Sequence, residues 1–327
     1  MNSKSDGRPR VVVVGSFNVD VVARVPRFPR PKETLEGISL LIAPGGKGSN
    51  QAVAAARCGA RTWFVARVGR DPFADIGFAL WREEGIETSH VTRSENATTG
   101  VALILVEDHG GQNSIVVNPG ANATLTAGHV GAAAPAIAGA DCVVACLEVP
   151  LPAVRRALEL GKEAGATTIL NPAPARGPLP ADLLELVDVL VPNEVEAGQL
   201  TGLEVDSPGR AADAAKELSG GGGVDDGRVV VVTLGDRGAV ACAGGELWQV
   251  PALEVEVVDT TGAGDAFVGA FACRLAELGS SGREGAVKRA LEFAVAAGSL
   301  QVTRAGCAPA NPRREEVERA LLRLKIR

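Results

Sequence analysis

The chain has 327 residues, of which 46% are hydrophobic and 22% charged, proportions typical of a folded globular protein rather than a disordered one. Its formal net charge of −6, without basic clusters among the aromatic residues, argues against a nucleic-acid-binding surface. The apolar runs are too short to cross a bilayer, and no apolar signal region follows the polar first ten residues. We therefore expect a cytoplasmic protein without a membrane partner.

The first predicted element is a buried strand at residues 11–14, an apolar run that ends at Gly15. Asn18 and Asp20 follow this strand, and ligands of open parallel sheets collect beyond the carboxyl ends of the strands. Both side chains are therefore candidates to hydrogen-bond the hydroxyl groups of a sugar. Turn residues that hydrogen-bond their own backbone are the alternative interpretation.

Two extended segments, at about residues 17–43 and 98–118, interrupt the alternation of strands and helices. Prolines break the first, and the second has two apolar runs joined by a turn with Gly110 and Gly111, which predicts a β-hairpin. We expect the two segments to form a small β-sheet that stands off the main domain as a lid. An exposed face or edge of such a sheet would favour a homodimer.

A glycine-rich segment between the two lid segments includes Gly46, Lys47 and Asn50, and it precedes an alanine-rich helix at residues 52–57. Its glycines would let a ligand approach the backbone at the start of a helix, and Lys47 and Asn50 add a cation and an amide. The segment lacks the G-K-[ST] spacing of a Walker loop. A plain helix entry is the alternative to a functional role.

From about residue 141 the pattern is regular, with predicted strands at 142–147, 167–170, 187–191 and 228–233. We expect one α/β domain, residues 1–327, with a mostly parallel central sheet and helices on both faces. Polar residues follow the strand ends, namely Glu148, Asn171, Asn193 with Glu196, and Thr233 with Gly235. With Asn18 and Asp20 they predict a cleft along one edge of the sheet.

The segment from Asp259 to Phe267 reads as a turn from a buried strand at residues 253–258 into a helix at residues 266–278. Gly262 and Gly264 remove the side chains that would keep a ligand from the backbone, and the first N–H groups of a helix have no partner within it. Such a turn can hold an anion, and Asp265 places a proton acceptor beside it. A glycine-rich connection capped by Asp265 is the alternative.

These features together indicate phosphoryl transfer from a nucleotide to an alcohol. That reaction needs an anion hole, a carboxylate that accepts the hydroxyl proton, and groups that hold hydrated magnesium near the phosphates. The turn at Gly262–Gly264, Asp265, and the pair Asn193 and Glu196 can fill those roles. Asn193 and Glu196 are three residues apart at a helix start and so share a face, although a helix cap followed by a surface acid is the alternative.

At this point the chain resembles the PfkB family of carbohydrate kinases, through GGKGSNQA at residues 45–52 and DTTGAGDAF at residues 259–267. Between them, NPAPA at 171–175, PNEVE at 192–196 and TLGDRG at 233–238 stand in the family's order. The resemblance implies a three-layer ribokinase-like fold with a small β-sheet lid. It also implies ATP-dependent phosphorylation of D-ribose at O5 to ribose 5-phosphate, with Mg²⁺ and with K⁺ as an activator.

The resemblance also assigns residues. It implies that the sugar is bound by Asn18, Asp20, Gly46, Lys47, Asn50 and Glu148. It implies that Asp265 is the general base, beside an anion hole at Gly262, Ala263 and Gly264. The implied nucleotide site comprises Asn193, Thr233, Leu234, Gly235, Asp236, Arg237, Gly238 and Gly264. Asn193 and Glu196 would serve Mg²⁺ through water, and Asp259, Thr261, Val302, Gly306 and Ala310 would surround K⁺. Family members often have serine at the last of these positions, so Ala310 predicts a weaker effect of K⁺.

Other readings stay open. A kinase of the same family could act on deoxyribose, fructose or adenosine, although a nucleoside would need an apolar slot that the lid segments scarcely offer. An acidic sugar would call for a nearby arginine, for which Arg24 is the candidate. A non-catalytic sugar sensor with the same fold would be expected to have lost Asp265 or the glycines beside it. A dinucleotide-dependent oxidoreductase is disfavoured because no G-x-G-x-x-G follows the first strand.

Overall fold

The structure is a computed structural model that describes residues 7–110, 112–220, 227–279 and 283–325. Its strands are β1 Arg10–Val14, β2 Asn18–Val25, β3 Ser39–Gly45, β4 Arg61–Val68, β5 Glu87–Arg93, β6 Gly100–Glu107, β7 Asn113–Asn118, β8 Cys142–Cys146, β9 Thr167–Asn171, β10 Val189–Leu190, β11 Val229–Thr233, β12 Ala239–Ala243 and β13 Glu246–Val250. Its helices are α1 Lys47–Arg57, α2 Pro72–Glu83, α3 Ala127–Gly131, α4 Ala134–Ile137, α5 Leu151–Glu163, α6 Ala181–Leu184, α7 Glu194–Thr201, α8 Pro208–Leu218, α9 Ala263–Leu278, α10 Arg283–Gln301 and α11 Arg314–Lys325.

The main sheet has nine strands in the described residues, in the order β13-β12-β11-β10-β9-β8-β1-β4-β5. Pairing is parallel from β11 to β5, whereas β12 and β13 are added antiparallel at one edge. The central strand β1 contains four consecutive valines, all fully buried, as expected for a strand covered on both faces. The predicted parallel sheet is thereby confirmed.

Two apolar layers pack on opposite faces of this sheet. Val11 and Val13 face a layer built with α1, α2, α9, α10 and α11, whereas Val12 and Val14 face a layer built with α3 to α8. The alternation follows from the period of two in a strand, which sends successive side chains to opposite faces. The molecule therefore has three layers, with the sheet in the middle.

The second sheet has four strands, in the order β3-β2-β6-β7, and it is the small sheet expected from the two lid segments. β2 pairs antiparallel with β3 and parallel with β6, and β6 pairs antiparallel with β7 in the predicted hairpin. Gly111, at the turn of that hairpin, lies outside the described residues. Asn18 and Asp20 belong to β2 rather than to a turn, so the sugar-site candidates are attached to this sheet.

One predicted strand is wrong. Residues 253–258 form no strand, and Val257 and Val258 have 58% and 60% of their surface exposed. Their backbone pairs with the end of α10 instead, because Leu253 N–H donates to Ser299 Oγ at 3.0 Å and Val258 N–H donates to the Val302 carbonyl at 2.8 Å. The turn before α9 therefore follows a loop rather than a buried strand.

The strand predicted at residues 187–191 is shorter in the structure, where β10 spans Val189–Leu190. β4, β5 and α2 complete the other edge of the sheet and were not identified from the sequence pattern. Among the described helices, none is both long enough and apolar enough to cross a membrane.

Candidate active site

Asn18 and Asp20 are positioned by glycines on the neighbouring strands. Asn18 lies opposite Gly45 of β3 on one side and opposite Gly100 of β6 on the other. A Cβ atom on Gly100 would lie 2.2 Å from Asn18 Oδ1, and one on Gly45 would lie 2.3 Å from Asp20 Oδ2. Both distances are too short for any side chain, so glycine at these two positions leaves the room that the polar pair occupies.

Asn122, which the sequence analysis missed, is hydrogen-bonded to Asn18 and is almost fully buried. Its Nδ2 donates to Asn18 Oδ1 at 2.9 Å and to the Phe17 carbonyl at 2.9 Å, and its Oδ1 accepts from Phe17 N–H at 3.0 Å. It lies in a short 3₁₀ turn after β7 and is separated from Asn18 by 104 positions. No local pattern in the sequence indicates this contact.

Glu148 follows β8 and is bound by one group at the start of α1 and one from the turn after β1. Its Oε2 accepts from Lys47 N–H at 3.0 Å and from the Ser16 hydroxyl. The Lys47 ammonium lies near Asp265 and Glu148, and the attraction of these carboxylates raises the pKa of Lys47 although burial opposes it. The glycine-rich segment at the start of α1 therefore places one cation among several carboxylates.

Asp265, in the first turn of α9, is held by amides from α1 and has 7% of its surface exposed. Asn50 Nδ2 donates to Asp265 Oδ2 at 3.0 Å, and Gln51 Nε2 donates to Asp265 Oδ1 at 3.0 Å. Gln51 also donates to Asn171 Oδ1 at 3.1 Å, which connects the carboxylate to the end of β9. Gln51 was missed as a site residue, although a polar residue fully buried in an alanine-rich helix needs a polar partner.

Asp20 lies between the sugar-site candidates and the loop after α10. Burial, together with repulsion from Glu148 and to a smaller extent Asp265, raises the pKa of Asp20 to about 6. The Cys307 thiol lies 3.9 Å from Asp20 Oδ2 and favours the charged carboxylate. Among the described residues, the carboxylates of Asp20, Glu148 and Asp265 share this region with the single ammonium of Lys47, so negative charge is in excess at this end of the cleft.

The start of α9 has the geometry of an anion site. Gly262 caps the helix with φ 78°, a left-handed conformation that favours glycine. Ala266 N–H makes the first helical hydrogen bond of α9, donating to the Gly262 carbonyl at 2.9 Å. The N–H groups of Gly264 and Asp265 precede it and have no acceptor within the helix. A Cβ on Gly264 would meet no atom within 4 Å, so space lies next to these donors.

A cavity of about 440 Å³ adjoins this turn, and none of the sugar-site candidates lines it. Predicted residues that line it are Thr233, Gly235, Asp236, Gly238 and Gly264, and the apolar walls include Leu253, Val255, Val257, Phe267 and Val295. This lining explains why the segment at residues 253–258 is apolar without being a strand.

Three predicted nucleotide-site residues, Asn193, Leu234 and Arg237, do not line this cavity, and Asn193 instead caps α7. Leu234 is buried in the core, and Arg237 forms an ion pair with Glu194 and donates to the Asp206 carbonyl. Neither residue lines the cavity beside α9. These contacts give both residues structural roles in holding the loop after β11.

Asn193 and Glu196 form a capping box at the start of α7. Glu196 N–H donates to Asn193 Oδ1 at 2.8 Å, and Asn193 N–H donates to Glu196 Oε2 at 2.9 Å. Burial raises the pKa of Glu196, and the charge of Lys47 partly offsets this effect. Within the described residues no cluster of three or more His, Cys, Asp or Glu side chains could hold a metal directly.

The predicted cation loops are brought together behind α9. Asp259 Oδ2 accepts from Gly306 N–H at 2.9 Å, and the Val302 carbonyl accepts from Asp259 N–H at 3.1 Å. The carbonyl oxygens of Thr261 and Gly306 lie 3.2 and 2.9 Å from one nitrogen, Nε2 of Gln301. The loops thus combine a carboxylate with several carbonyl oxygens, a donor set that suits a hard cation. Ala310 is buried and contributes a methyl group.

A second cavity, of about 700 Å³, lies on the sugar side and is lined by Asn18, Asn122 and Glu148. Its far wall is apolar and includes Leu151, Pro178 and Leu179, and it also carries the exposed Arg176. Arg24, the arginine proposed for an acidic sugar, is instead paired with Asp108 at 3.3 Å on the lid surface. Arg24 does not line this cavity, and it lies near the end of β2 remote from Asn18.

Comparison with known proteins gives concordant matches. The model for the pfkB family carbohydrate kinases matches residues 8–314. Ribokinase from Staphylococcus aureus is 40% identical over 309 residues, covering 94% of this chain and 98% of that protein. Deoxyribokinase from Salmonella typhi is 38% identical over 285 residues, covering 87% of this chain and 90% of that protein.

The solved structure of Arabidopsis thaliana ribokinase complexed with ribose and ATP superposes with a TM-score of 0.85 at 31% identity. It covers 96% of this chain and 99% of that chain, so the likeness includes both sheets and confirms the ribokinase-like fold. The family model spans nearly the whole chain, and the relatives match at about 40% identity over most of their length. The chain therefore belongs to the pfkB family of carbohydrate kinases.

Proposed function

We propose that the protein transfers the γ-phosphoryl group of ATP to O5 of D-ribose and releases ribose 5-phosphate and ADP. The observation that supports this most directly is the position of Asp265, a buried carboxylate held by Asn50 and Gln51 in the first turn of α9. Gly264, the residue before it, lines one cavity, and the sugar-site candidates Asn18 and Glu148 line the other. The relatives named ribokinase, and the relative solved with ribose and ATP, support the choice of substrates.

In this proposal the sugar binds among Asn18, Asp20, Lys47, Asn50 and Glu148. These side chains offer both donors and acceptors, which matches a molecule whose hydroxyl groups each donate and accept. The backbone at Gly46 has φ 88°, so glycine there lets the chain turn into α1 next to the substrate.

Asp265 acts as the general base. It accepts the proton of the O5 hydroxyl as O5 forms a bond to the γ-phosphorus and the bond between that phosphorus and the β–γ bridging oxygen breaks. Its two amide donors hold the carboxylate in place and leave its remaining lone pairs for the substrate. ADP departs with the electron pair of the broken bond.

The start of α9 stabilises the charge that develops during transfer. The N–H groups at Gly264 and Asp265 and the positive end of the helix dipole favour negative charge on the transferring group. The ammonium of Lys47 adds a full positive charge near Asp265. These groups are fixed before the substrate binds, so they need little reorganisation during the reaction.

Asn193 and Glu196 would hold the water ligands of Mg²⁺ bound to ATP. Glu196 is a buried carboxylate. In the described residues it belongs to no group of three or more His, Cys, Asp or Glu side chains that could hold a metal, which fits an ion that keeps most of its water ligands. When bound, Mg²⁺ neutralises charge on the phosphates. The loops at Asp259 and Gly306 would hold K⁺ and stabilise the turn that forms the anion site, with a weak effect because Ala310 lacks a hydroxyl.

We also propose that two copies associate through the lid sheet. Leu103 of β6 lies opposite Val116 of β7, and Val21 of β2 lies between Leu103 and Ile42 of β3. Leu103, Val116 and Ile42 are 53%, 63% and 48% exposed, so an apolar row crosses all four strands. Asp20 precedes Val21 in β2, so its side chain points to the opposite face of the sheet, towards the cleft. The apolar face is therefore available for a partner.

The cytoplasmic location stays a prediction.

A second substrate, 2-deoxyribose, is favoured by one observation: a relative named deoxyribokinase is 38% identical over most of this chain. Both sugars carry the O5 hydroxyl that Asp265 would deprotonate.

An assay of ADP release identifies the substrate. It uses ATP and Mg²⁺ with ribose, 2-deoxyribose, fructose and adenosine, each with and without K⁺. Highest turnover on ribose supports the proposal, and highest turnover on another compound replaces the substrate.

The role of Asp265 is tested by Asp265→Asn. We expect turnover to fall by about a thousandfold or more because the base is removed, while ribose binding stays within a few-fold of wild type. Asp213→Asn, the same change on the exposed side of α8, is the matched control. Wild-type protein that binds ribose without turnover would favour a sensor, and near-normal turnover of Asp265→Asn would remove this residue from the base role.

A further inference from the structure

We infer that Asn122 is a positioning residue for the sugar, because it fixes the Asn18 amide with its NH₂ group facing the cavity. This inference rests on the proposed function, in which Asn18 binds the substrate. Asn122 itself lies in the turn that follows the lid strand β7, and 1% of its surface is exposed.

The orientation of Asn122 follows from groups whose hydrogen-bonding roles cannot change. Phe17 N–H can only donate, and it donates to Asn122 Oδ1 at 3.0 Å; the Phe17 carbonyl can only accept, and it accepts from Asn122 Nδ2 at 2.9 Å. These two bonds assign the oxygen and the nitrogen of the Asn122 amide. The second hydrogen on Nδ2 remains for Asn18.

The orientation of Asn18 follows in turn. Asn122 Nδ2 lies 2.9 Å from one polar atom of the Asn18 side chain, and that atom must accept, so it is Oδ1. Nδ2 of Asn18 has no hydrogen-bond partner in the described part of the chain, and Asn18 lines the sugar-side cavity. Gly100 packs against both amides, and a side chain there would collide with Asn18 Oδ1 and Asn122 Nδ2. The pair therefore has little freedom to rearrange.

The consequence is that Asn18 presents a donor to the sugar. Glu148 lines the same cavity and presents carboxylate oxygens, which can only accept when ionised. The donor from Asn18 completes the set that a hydroxyl group needs, since each hydroxyl both donates and accepts. The hydrogen bond from Asn122 to Asn18 Oδ1 determines that the NH₂ group of Asn18, and not its oxygen, faces the substrate.

The test is Asn122→Asp, compared with Asn113→Asp on the exposed lid strand β7. An aspartate at position 122 keeps an acceptor for Phe17 N–H but replaces the shared donor by an oxygen. The Asn18 amide must then turn and present its oxygen to the sugar. We expect the KM for ribose to rise about 10- to 100-fold, as for an unpaired polar contact, with the KM for ATP within twofold. Asn113→Asp should change neither value.

A double-mutant cycle separates positioning from a general structural effect. If Asn122 acts through Asn18, then Asn122→Asp placed in an Asn18→Ala background should raise the sugar KM by no more than about twofold further. An equal effect in both backgrounds, or a parallel rise in the KM for ATP, would overturn the inference. Asn122→Ala, which removes the contact without adding charge, serves the same test if the aspartate variant does not fold.

Failure of the proposed function appears in a different measurement. Wild-type turnover on ribose tests the substrate, whereas the ratios between variants test Asn122. Those ratios can be measured with whichever sugar the wild-type protein accepts. A wild-type protein active on 2-deoxyribose with the same variant ratios would keep the role of Asn122 and change the substrate.

Discussion

Several carboxylates share one ammonium at the sugar end of the cleft. Lys47 lies near Asp265 and Glu148, and Asp20 is raised in pKa by burial and by the same two acids. A group whose ionised form is disfavoured in the folded state opposes folding wherever the pH keeps it ionised. These carboxylates can accept hydrogen bonds from the sugar, but their charge lowers the stability of the protein without a bound sugar.

Asp20 allows this effect to be measured. Its folded-state pKa is about 6 and exceeds the value of about 4 in an unfolded chain, so the destabilisation is fully present above pH 6 and is lost as the pH falls to about 4. We expect Asp20→Asn to raise the free energy of unfolding by about 1–2 kcal/mol at pH 8, after allowance for partial exposure, and by about a third as much at pH 4.5. Urea unfolding at the two pH values measures the difference.

The same variant should bind ribose more weakly, since it loses an ionised acceptor. Asp213→Asn, on the exposed surface of α8, should show no gain at either pH. Equal stability of wild type and Asp20→Asn at pH 8 would mean that the carboxylate is not destabilised in the folded protein.

Sequence reasoning found the residues whose chemistry is visible locally. Asn18, Asp20, Glu148 and Asp265 follow strands or open a helix, positions where function concentrates in parallel α/β sheets. It missed two of the amides that hold them, because these contacts join distant parts of the chain, 104 positions apart for Asn122 and 214 for Gln51. Such pairs are created by the packing of elements, which a local pattern does not specify.

At the scale of elements, α7 begins with a capping box whose two residues were also proposed to serve magnesium. The reciprocal bonds between Asn193 and Glu196 show that the helix cap is real. A cap and a metal role are compatible, because each carboxylate has two oxygens and the bond to Asn193 N–H uses Oε2. The two roles can be separated by a substitution that preserves the cap.

Glu196→Gln is that substitution, since glutamine also completes a capping box. We expect the free energy of unfolding to stay within about 0.5 kcal/mol of wild type, while the Mg²⁺ concentration for half-maximal activity rises about tenfold. Titrations of activity against Mg²⁺, with Glu204→Gln on the nearby surface as control, provide the measurement. An unchanged Mg²⁺ requirement would leave Glu196 with the cap alone.

The segment before α9 shows why an apolar run does not always indicate a strand. Leu253, Val255 and Val257 alternate with more polar residues and fit a strand pattern, but in the structure all three line the cavity beside Gly264. These apolar side chains form the wall of a cavity and are not part of a sheet. Periodicity reports which side chains avoid water, and it cannot distinguish a core from the wall of a pocket.

At the scale of the whole molecule, the lid sheet exposes more apolar surface than a solvated sheet needs. On the face opposite to Asp20, Val116 of β7, Leu103 of β6 and Leu40 of β3 are 63%, 53% and 65% exposed. Contiguous apolar surface of this kind is typical of an interface, and we therefore expect it to pack against the matching sheet of a second copy.

Val116→Lys should therefore convert a dimer into a monomer. A charge placed in the apolar row of Ile42 and Leu103 would be buried without a partner on association. Light scattering coupled to gel filtration gives the molar mass of wild type and variant. Asn113→Lys adds the same charge at the end of the same strand and should leave the dimer intact. Wild-type protein that is monomeric at all concentrations would refute the lid interface.

The lid sheet is attached to the body of the protein at the end that carries Asn18. Asn18 and Val19 are buried, and Ala121 N–H donates to the Thr98 carbonyl at 2.7 Å where the lid chain re-enters the body. The turn after β6, which ends at Glu107, lies at the opposite end of the sheet. A foreign peptide inserted in that turn would consequently project into solvent, and the residues proposed to contact the sugar would keep their positions.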